Sequence, residues 1–187
     1  MSTLLAPAAS LARLVPYHRA VFPRATLYHL WALMESQGAT PLLFHGQQGP
    51  ESMRGDLVAF TRMLEPVQGE THVLLVTRPE SSDLEGFLWF DDVVGLGENA
   101  GTRAAFNVFY RRRFWGRPAR EASSMALRYG FTVLGFSTIW GWTPWPAAAR
   151  HAEAIGMQPV ATLPGFSAGG RDLYMFRATR EEVLDGH

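Results

Sequence analysis

Three apolar, β-rich runs follow one another with only short connections between them, and this narrows the fold more than any other feature. Thr71–Thr77 (THVLLVT), Leu84–Val94 (LEGFLWFDDVV) and Thr102–Arg111 (TRAAFNVFYR) each read as strands. Pro79–Asp83 is polar and turn-forming, and Gly95–Gly101 is a glycine-rich turn. Connections of this kind make hairpins, so the runs build antiparallel neighbours. Several are apolar on both faces, as strands covered from two sides are.

Helical periods flank this block. Ala25–Gln37 places Leu27, Leu30, Trp31 and Met34 on one face and is closed by Gly38. Glu51–Leu64 does the same with Met53, Leu57, Phe60 and Leu64, between Pro50 and Pro66. After Gly116 and Pro118, the residues Ala122, Met125, Ala126, Tyr129 and Val133 recur at helical spacing up to Gly135. Ser137–Trp142 reads as a strand, Pro146–Ile155 as a short helix, and Met157–Leu163 and Arg171–Arg177 as two further strands. The order is α-α-β-β-β-α-β-α-β-β, with room for an early strand before the first helix or around Leu42–His45. It predicts a mixed α/β (α+β) fold, with a mainly antiparallel sheet of six to seven strands flanked by about four helices. We read residues 1–187 as one domain, with a two-helix region at about 25–65 and a core at about 71–177.

Composition removes several function classes. With 47% hydrophobic and 18% charged residues, global disorder is excluded. The 17 basic and 17 acidic residues cancel, which argues against a general nucleic-acid binder. All the basic residues are Arg, permanently charged planar forks suited to phosphate or carboxylate. Cys is absent, which excludes disulfides, thiolate nucleophiles and Cys-ligated metals. The six His show no metal-binding spacing, so no metal is expected. No apolar run is long enough to span a membrane, and the N-terminus lacks a basic stretch before its apolar one. A cytoplasmic protein, of a bacterium or of a bacterial host cell if phage-encoded, is the expectation.

The densest chemical signal is Tyr110-Arg-Arg-Arg-Phe-Trp-Gly-Arg-Pro-Ala-Arg-Glu-Ala122, in which five Arg fall within ten residues. It lies where a strand hands over to a helix, whose free N–H groups and partial positive charge favour a phosphate. Two other motifs fail on context. Gly165-Phe-Ser-Ala-Gly169 matches a nucleophile elbow, but a strand follows it rather than a helix. Gly95-Leu-Gly-Glu-Asn-Ala100 mimics a dinucleotide fingerprint, but it too opens a strand.

Element order and the basic loop together resemble the GCN5-related N-acetyltransferase superfamily, over roughly Val73–Arg177. Arg113-Phe-Trp-Gly116-Arg-Pro118 is similar to the first anchors of its Arg/Gln-x-x-Gly-x-Gly/Ala motif, with Pro118 in place of the second small residue. Trp115-Gly116 and Glu121-Ala122 resemble the form found in ribosomal-protein acetyltransferase relatives. The short helix keeps Arg150, Glu153 and Gly156 of a second motif, with Trp145 where that motif has Asn and Ala148 where it has Ser. The resemblance implies acetyl-CoA as cosubstrate. It implies a groove drawn from Phe109, Tyr110, Arg111, Arg113, Phe114, Trp115, Gly116, Arg117, Ala119, Arg120 and Trp145. It implies direct attack by an amine, from a small molecule or a peptide, with no nucleic-acid or membrane partner and a homodimer allowed. Asn107 and Tyr174 are the candidate catalytic groups, with Glu85, Asp91 and Asp92 as further carboxylates; the two Asp are expected to close a turn. The Trp cluster at 140, 142 and 145 lines either a pocket or a packed corner. An alternative is a structural or virion-associated phage protein that kept the fold and lost the reaction.

Overall fold

The computed structural model of the chain describes residues 10–39, 57–65, 70–95, 101–167 and 170–185. Within them run β1 (Arg13–Pro16), α1 (Ala25–Glu35), α2 (Leu57–Leu64), β2 (His72–Thr77), β3 (Leu84–Gly95) and β4 (Thr102–Tyr110). A 3-10 turn (Arg112–Phe114) leads to α3 (Arg117–Thr132), β5 (Thr138–Thr143), α4 (Pro146–Ala154), β6 (Gln158–Leu163), β7 (Leu173–Thr179) and α5 (Arg180–Leu184). The strands form one 7-stranded sheet, ordered β1-β2-β3-β4-β5-β7-β6. Only β4 and β5 run parallel, with α3 as the crossover between them; every other neighbouring pair is antiparallel. The mixed, mainly antiparallel sheet is therefore present, and the early strand is β1. Leu42–His45, Met53 and the glycine-rich turn at 96–100 lie outside the described residues. The short helix α5 is an addition. Its signal is Thr179-Arg-Glu-Glu182, which forms a capping box: Thr179 accepts from the Glu182 N–H, and the Glu182 side chain accepts from the Thr179 N–H.

Alternation along the central strands divides the core in two. Leu74, Val76, Leu88, Phe90, Ala104, Phe106 and Ile139 pack against α3. Val73, Leu75, Phe87, Trp89 and Phe109 pack with Leu27, Leu30, Trp31 and Met34 of α1 and Phe60 and Leu64 of α2. On α3 the buried stripe is Ala119, Ala122, Ser123, Ala126, Leu127, Gly130 and Phe131. Helical spacing alone runs the stripe through Met125, Tyr129 and Val133, yet Val133 is 63% exposed. The helix turns its smallest residues to the sheet and so approaches closely: a Cβ at Gly130 would lie 2.9 Å from Ile139 and 3.1 Å from Phe90.

Two contacts fix β4 where it matters for a site. At its end, a Cβ on Gly86 of β3 would collide with the Phe109 carbonyl oxygen, so only Gly lets the strands meet there. On its other edge β4 pairs with β5 only at Arg103↔Thr138, Ala104↔Ile139 and Ala105↔Trp140. Beyond this, β4 continues along β3 to Tyr110, and β5 continues along β7 to Thr143. The two parallel strands part, and a slot opens in the middle of the sheet.

Candidate active site

The slot has unpaired backbone on its β4 side. The Phe109 carbonyl lies against Gly86, and the Arg111 N–H donates to the Glu85 carbonyl at 2.8 Å, so these residues bond toward β3. By strand alternation, the backbone groups of Val108 and Tyr110 face the slot. At the slot's mouth β4 gives way to the 3-10 turn and then to α3. Gly116 takes φ 99, a conformation that favours Gly, and the space where its Cβ would stand is open. No side chain caps α3 and no acidic residue occupies its first turn. Arg112, Arg117 and Arg120 are exposed around it and have no ion pair among the described residues. The Arg111 Nε is buried without an acceptor. An uncapped helix start with cations around it is arranged for an anion.

The wall of this mouth is a buried polar chain. Tyr110 Oη and Ser123 Oγ share a hydrogen bond of 2.7 Å, and Ser123 Oγ and His151 Nε2 share one of 2.9 Å. The His151 ring also stands edge-on to Trp115, 5.3 Å between centroids. Burial first, and then the Arg120 charge, push the His151 pKa down to about 4, so the imidazole is neutral at physiological pH. The chain ties α3 to α4 across the mouth.

The opposite face of the sheet, at the start of the slot, holds a carboxylate. Asp91 pairs with Ala105, which itself pairs with Trp140. The register slips between Asp91 and Val94, and Asp92 adopts φ 48. The two Asp thus form a bulge inside β3 rather than the closing turn expected from sequence; bulges re-aim side chains next to sites. Asp91 accepts from Trp89 Nε1 at 3.0 Å and from Asn107 Nδ2 at 2.9 Å. Burial outweighs these donors, and with the Asp92 charge nearby the Asp91 pKa is pushed up to about 6. Beside it is a cavity of about 490 Å³ lined by Asp92, Val94, Arg103, Ala105, Trp140, Trp142 and Met175.

Solved structures share this architecture across nearly the whole chain. Spermidine N-acetyltransferase from Vibrio cholerae, in complex with CoA and spermine, superposes with a TM-score of 0.67 at 16% identity, covering 93% of this chain and 98% of that one. A point mutant of the same Vibrio cholerae enzyme gives 0.68 at 17%, with 93% and 96% covered. A dodecameric form gives 0.66 at 15%, with 94% and 98% covered. The fold is that of the GCN5-related N-acetyltransferases. No protein-family model matches the sequence, and a search of curated proteins returns no significant match.

Within this acetyltransferase fold, the residues singled out from sequence separate into groups. Gly116, Arg117, Arg120 and Trp115 stand at the mouth, with Arg111 beside them. Tyr110, Phe114 and Ala119 are at the same place, but their side chains are core, at 2%, 0% and 0% exposure. Phe109 packs on the α1–α2 face. Arg113 is engaged elsewhere: its Nε and Nη2 donate to the two carboxylate oxygens of Glu85, each at 3.0 Å. Trp145 precedes α4, and the Arg171 guanidinium stacks on its ring at 4.0 Å. It does not line the cavity that Trp140 and Trp142 line, so the Trp cluster divides into two pocket walls and one stacked corner. Asn107 lies on the Asp91 face, whereas Tyr174 packs toward the α3 layer, so the structure does not bring these two together. Sequence reasoning passes over Ser123 and the ring contacts of His151. It also misses that Trp89, Asp91 and Asn107 form one hydrogen-bonded set, although Trp89 and Asp91 at i and i+2 are on one face of a strand.

Among the described residues no helix is long and apolar enough to cross a membrane. No group of three or more His, Asp or Glu among them comes together as a metal site.

Proposed function

We propose that the chain is an acetyl-CoA-dependent N-acetyltransferase. The observation that carries this reading is the parting of β4 from β5 directly before an uncapped, arginine-ringed helix start. A long polar cosubstrate needs both features: unpaired strand backbone to bond its amide-bearing arm, and a helix start to hold its diphosphate. The backbone of Val108 and Tyr110 suits the arm. Gly116, the first N–H groups of α3, Arg111, Arg117 and Arg120 suit the diphosphate. Phe114 and Ala119 act from the core, by setting the path of the backbone.

Acetyl-CoA would supply the acyl group as a thioester. An amine bound on the Asp91 face would meet it where the slot begins, near Ala105 and Asn107. Asp91 has the attributes of the group that takes the amine's proton: partial burial, neutral hydrogen-bond donors and a pKa close to the working range. Asn107 positions Asp91 through its amide. Holding both reactants in one slot supplies much of the acceleration.

Titration calorimetry with acetyl-CoA tests the reading, with an Arg117→Ala, Arg120→Ala variant beside the native chain. Micromolar binding, weakened about tenfold or more in the variant, is the expected result. An absence of binding at millimolar acetyl-CoA by folded protein overturns it. That outcome is what the alternative, a fold kept without its reaction, requires. The alternative draws on Trp145 and its Arg171 stack, which occupy the position where the resemblance expects an Asn.

A further inference from the structure

The cavity beside Asp91 has a composition that selects among amines. This inference rests on the acetyltransferase reading and deepens it. Trp140, Trp142 and Met175 give it an apolar, aromatic wall, and Trp142 is 47% exposed there. Asp92 stands at one edge, re-aimed by the bulge. Arg103 stands at another, two residues along β4 from Ala105 and therefore on the same face, about 7 Å away along the strand. Its side chain has no ion pair or hydrogen bond among the described residues. Arg177, paired in register with Trp140, puts a second guanidinium on this face; it donates to Glu182 at 3.2 Å and leaves its Nε without an acceptor.

On the cavity lining the charges therefore balance, Asp92 against Arg103, while Arg177 beside them is balanced by Glu182. A polyamine would bring several ammonium groups along one flexible chain, each favouring a carboxylate or an aromatic face over a guanidinium. Here the second would meet the unpaired Arg103 guanidinium, and like charges at such range repel. An amine that carries its own carboxylate meets no such conflict. Its ammonium faces Asp91 and Asp92, its carboxylate faces the Arg103 fork, and its body covers the tryptophans.

We propose that the acceptor is an amino-acid-like zwitterion with an apolar or aromatic body, recognised by Arg103 and the Trp140–Trp142–Met175 wall. In the transfer the ammonium loses a proton, and its nitrogen forms a bond to the thioester carbonyl carbon. The carbon–sulfur bond then breaks and the thiolate leaves, to be protonated as the free thiol. The sum is ammonium plus acetyl thioester giving amide, thiol and one proton released to solvent.

The test compares L-phenylalanine, 2-phenylethylamine and spermidine as acceptors, by the rate of thiol release from acetyl-CoA. The expected order in kcat/KM is phenylalanine, then phenylethylamine about tenfold lower, then spermidine. Arg103→Ala, checked for native melting, should lower the phenylalanine value about tenfold and close the gap to phenylethylamine. Spermidine as the best acceptor overturns the proposal, as does a phenylalanine preference that survives Arg103→Ala. Acetyl-CoA bound with none of the three acetylated also overturns it and leaves the cosubstrate site standing. Failure to bind acetyl-CoA instead removes the parent reading.

Discussion

Strand β3 carries a carboxylate near each end, and the two are handled in opposite ways. Glu85 is 1% exposed and is surrounded by cations: Arg78 Nε donates to it at 3.0 Å, and Arg113 grips both its oxygens. Burial raises its pKa, but the hydrogen bonds and charges of Arg113 and Arg78 win and hold it below the usual carboxylate range. Among the described residues, Asp91 is partly buried and is met by neutral donors, an indole, a side-chain amide and its own backbone N–H. There burial wins, and its pKa sits at about 6. The difference lies in the partners more than in burial. Cations lock a carboxylate into one state and make it a strut, here the strut of the turn that precedes α3. Neutral donors hold a carboxylate in place without fixing its charge and leave it able to exchange a proton.

The largest expected effect breaks the strut end. Gly86→Ala forces a methyl group into the Phe109 carbonyl and pushes β4 off β3 where the mouth is built. A loss of about 3 kcal/mol in urea unfolding is expected, together with weaker acetyl-CoA binding. Native stability in this variant would mean that the approach of the two strands is not what fixes the turn.

The next effect separates the two carboxylates by pH. Asp91→Asn should cut kcat/KM about a hundredfold and remove a limb near pH 6 below which activity falls. Stability should move the other way. Because the native pKa of Asp91 lies above its unfolded value near 4, its contribution to stability is full below pH 4 and is lost as pH rises through 6. Asn removes that loss, worth about 3 kcal/mol, but gives up one of the two hydrogen bonds accepted from side chains, worth about 1–2 kcal/mol. A net gain of about 1 kcal/mol at pH 7.5, absent at pH 4, is therefore expected from melting at the two pH values. Equal activity in the Asn variant would remove Asp91 from the chemistry.

The smallest effect sharpens the role of the neutral donors. Trp89→Phe deletes the indole N–H that stabilises ionised Asp91, so the activity limb should move up by about half a pH unit. A shift downward would show that the indole does not act on Asp91.

The meander, the crossover helix and the basic turn are legible in the sequence because each is local: a period of two, a period of 3.6, a run of charge. The parting of β4 from β5 is not, because it depends on where β5 stops matching β4 and starts following β7, a choice made between distant segments. The same holds for the arginines. Arg111, Arg112 and Arg113 are equivalent on paper, and only the 3-10 turn sends the third to Glu85 and leaves the second in solvent. Spacing misplaces the α3 stripe by a fraction of a turn, since it cannot say that Ala119, Ser123 and Gly130 would be chosen for their small size. Asp91 and Asp92 read as a turn because adjacent acids rarely sit inside a central strand; a bulge makes that arrangement tolerable.

The parting of β4 and β5 also sets how the middle of the sheet meets solvent. A central strand is normally where amide hydrogens exchange most slowly. Here the hydrogens of Val108 and Tyr110 have no strand to bond to, while those of Asn107 and Phe109, one residue away, are held by β3. Exchange along β4 should therefore alternate, fast and slow by turns, at the end of a central strand where the Phe109 and Tyr110 side chains are buried. Backbone openness and side-chain burial, which usually rise and fall together, come apart over these few residues.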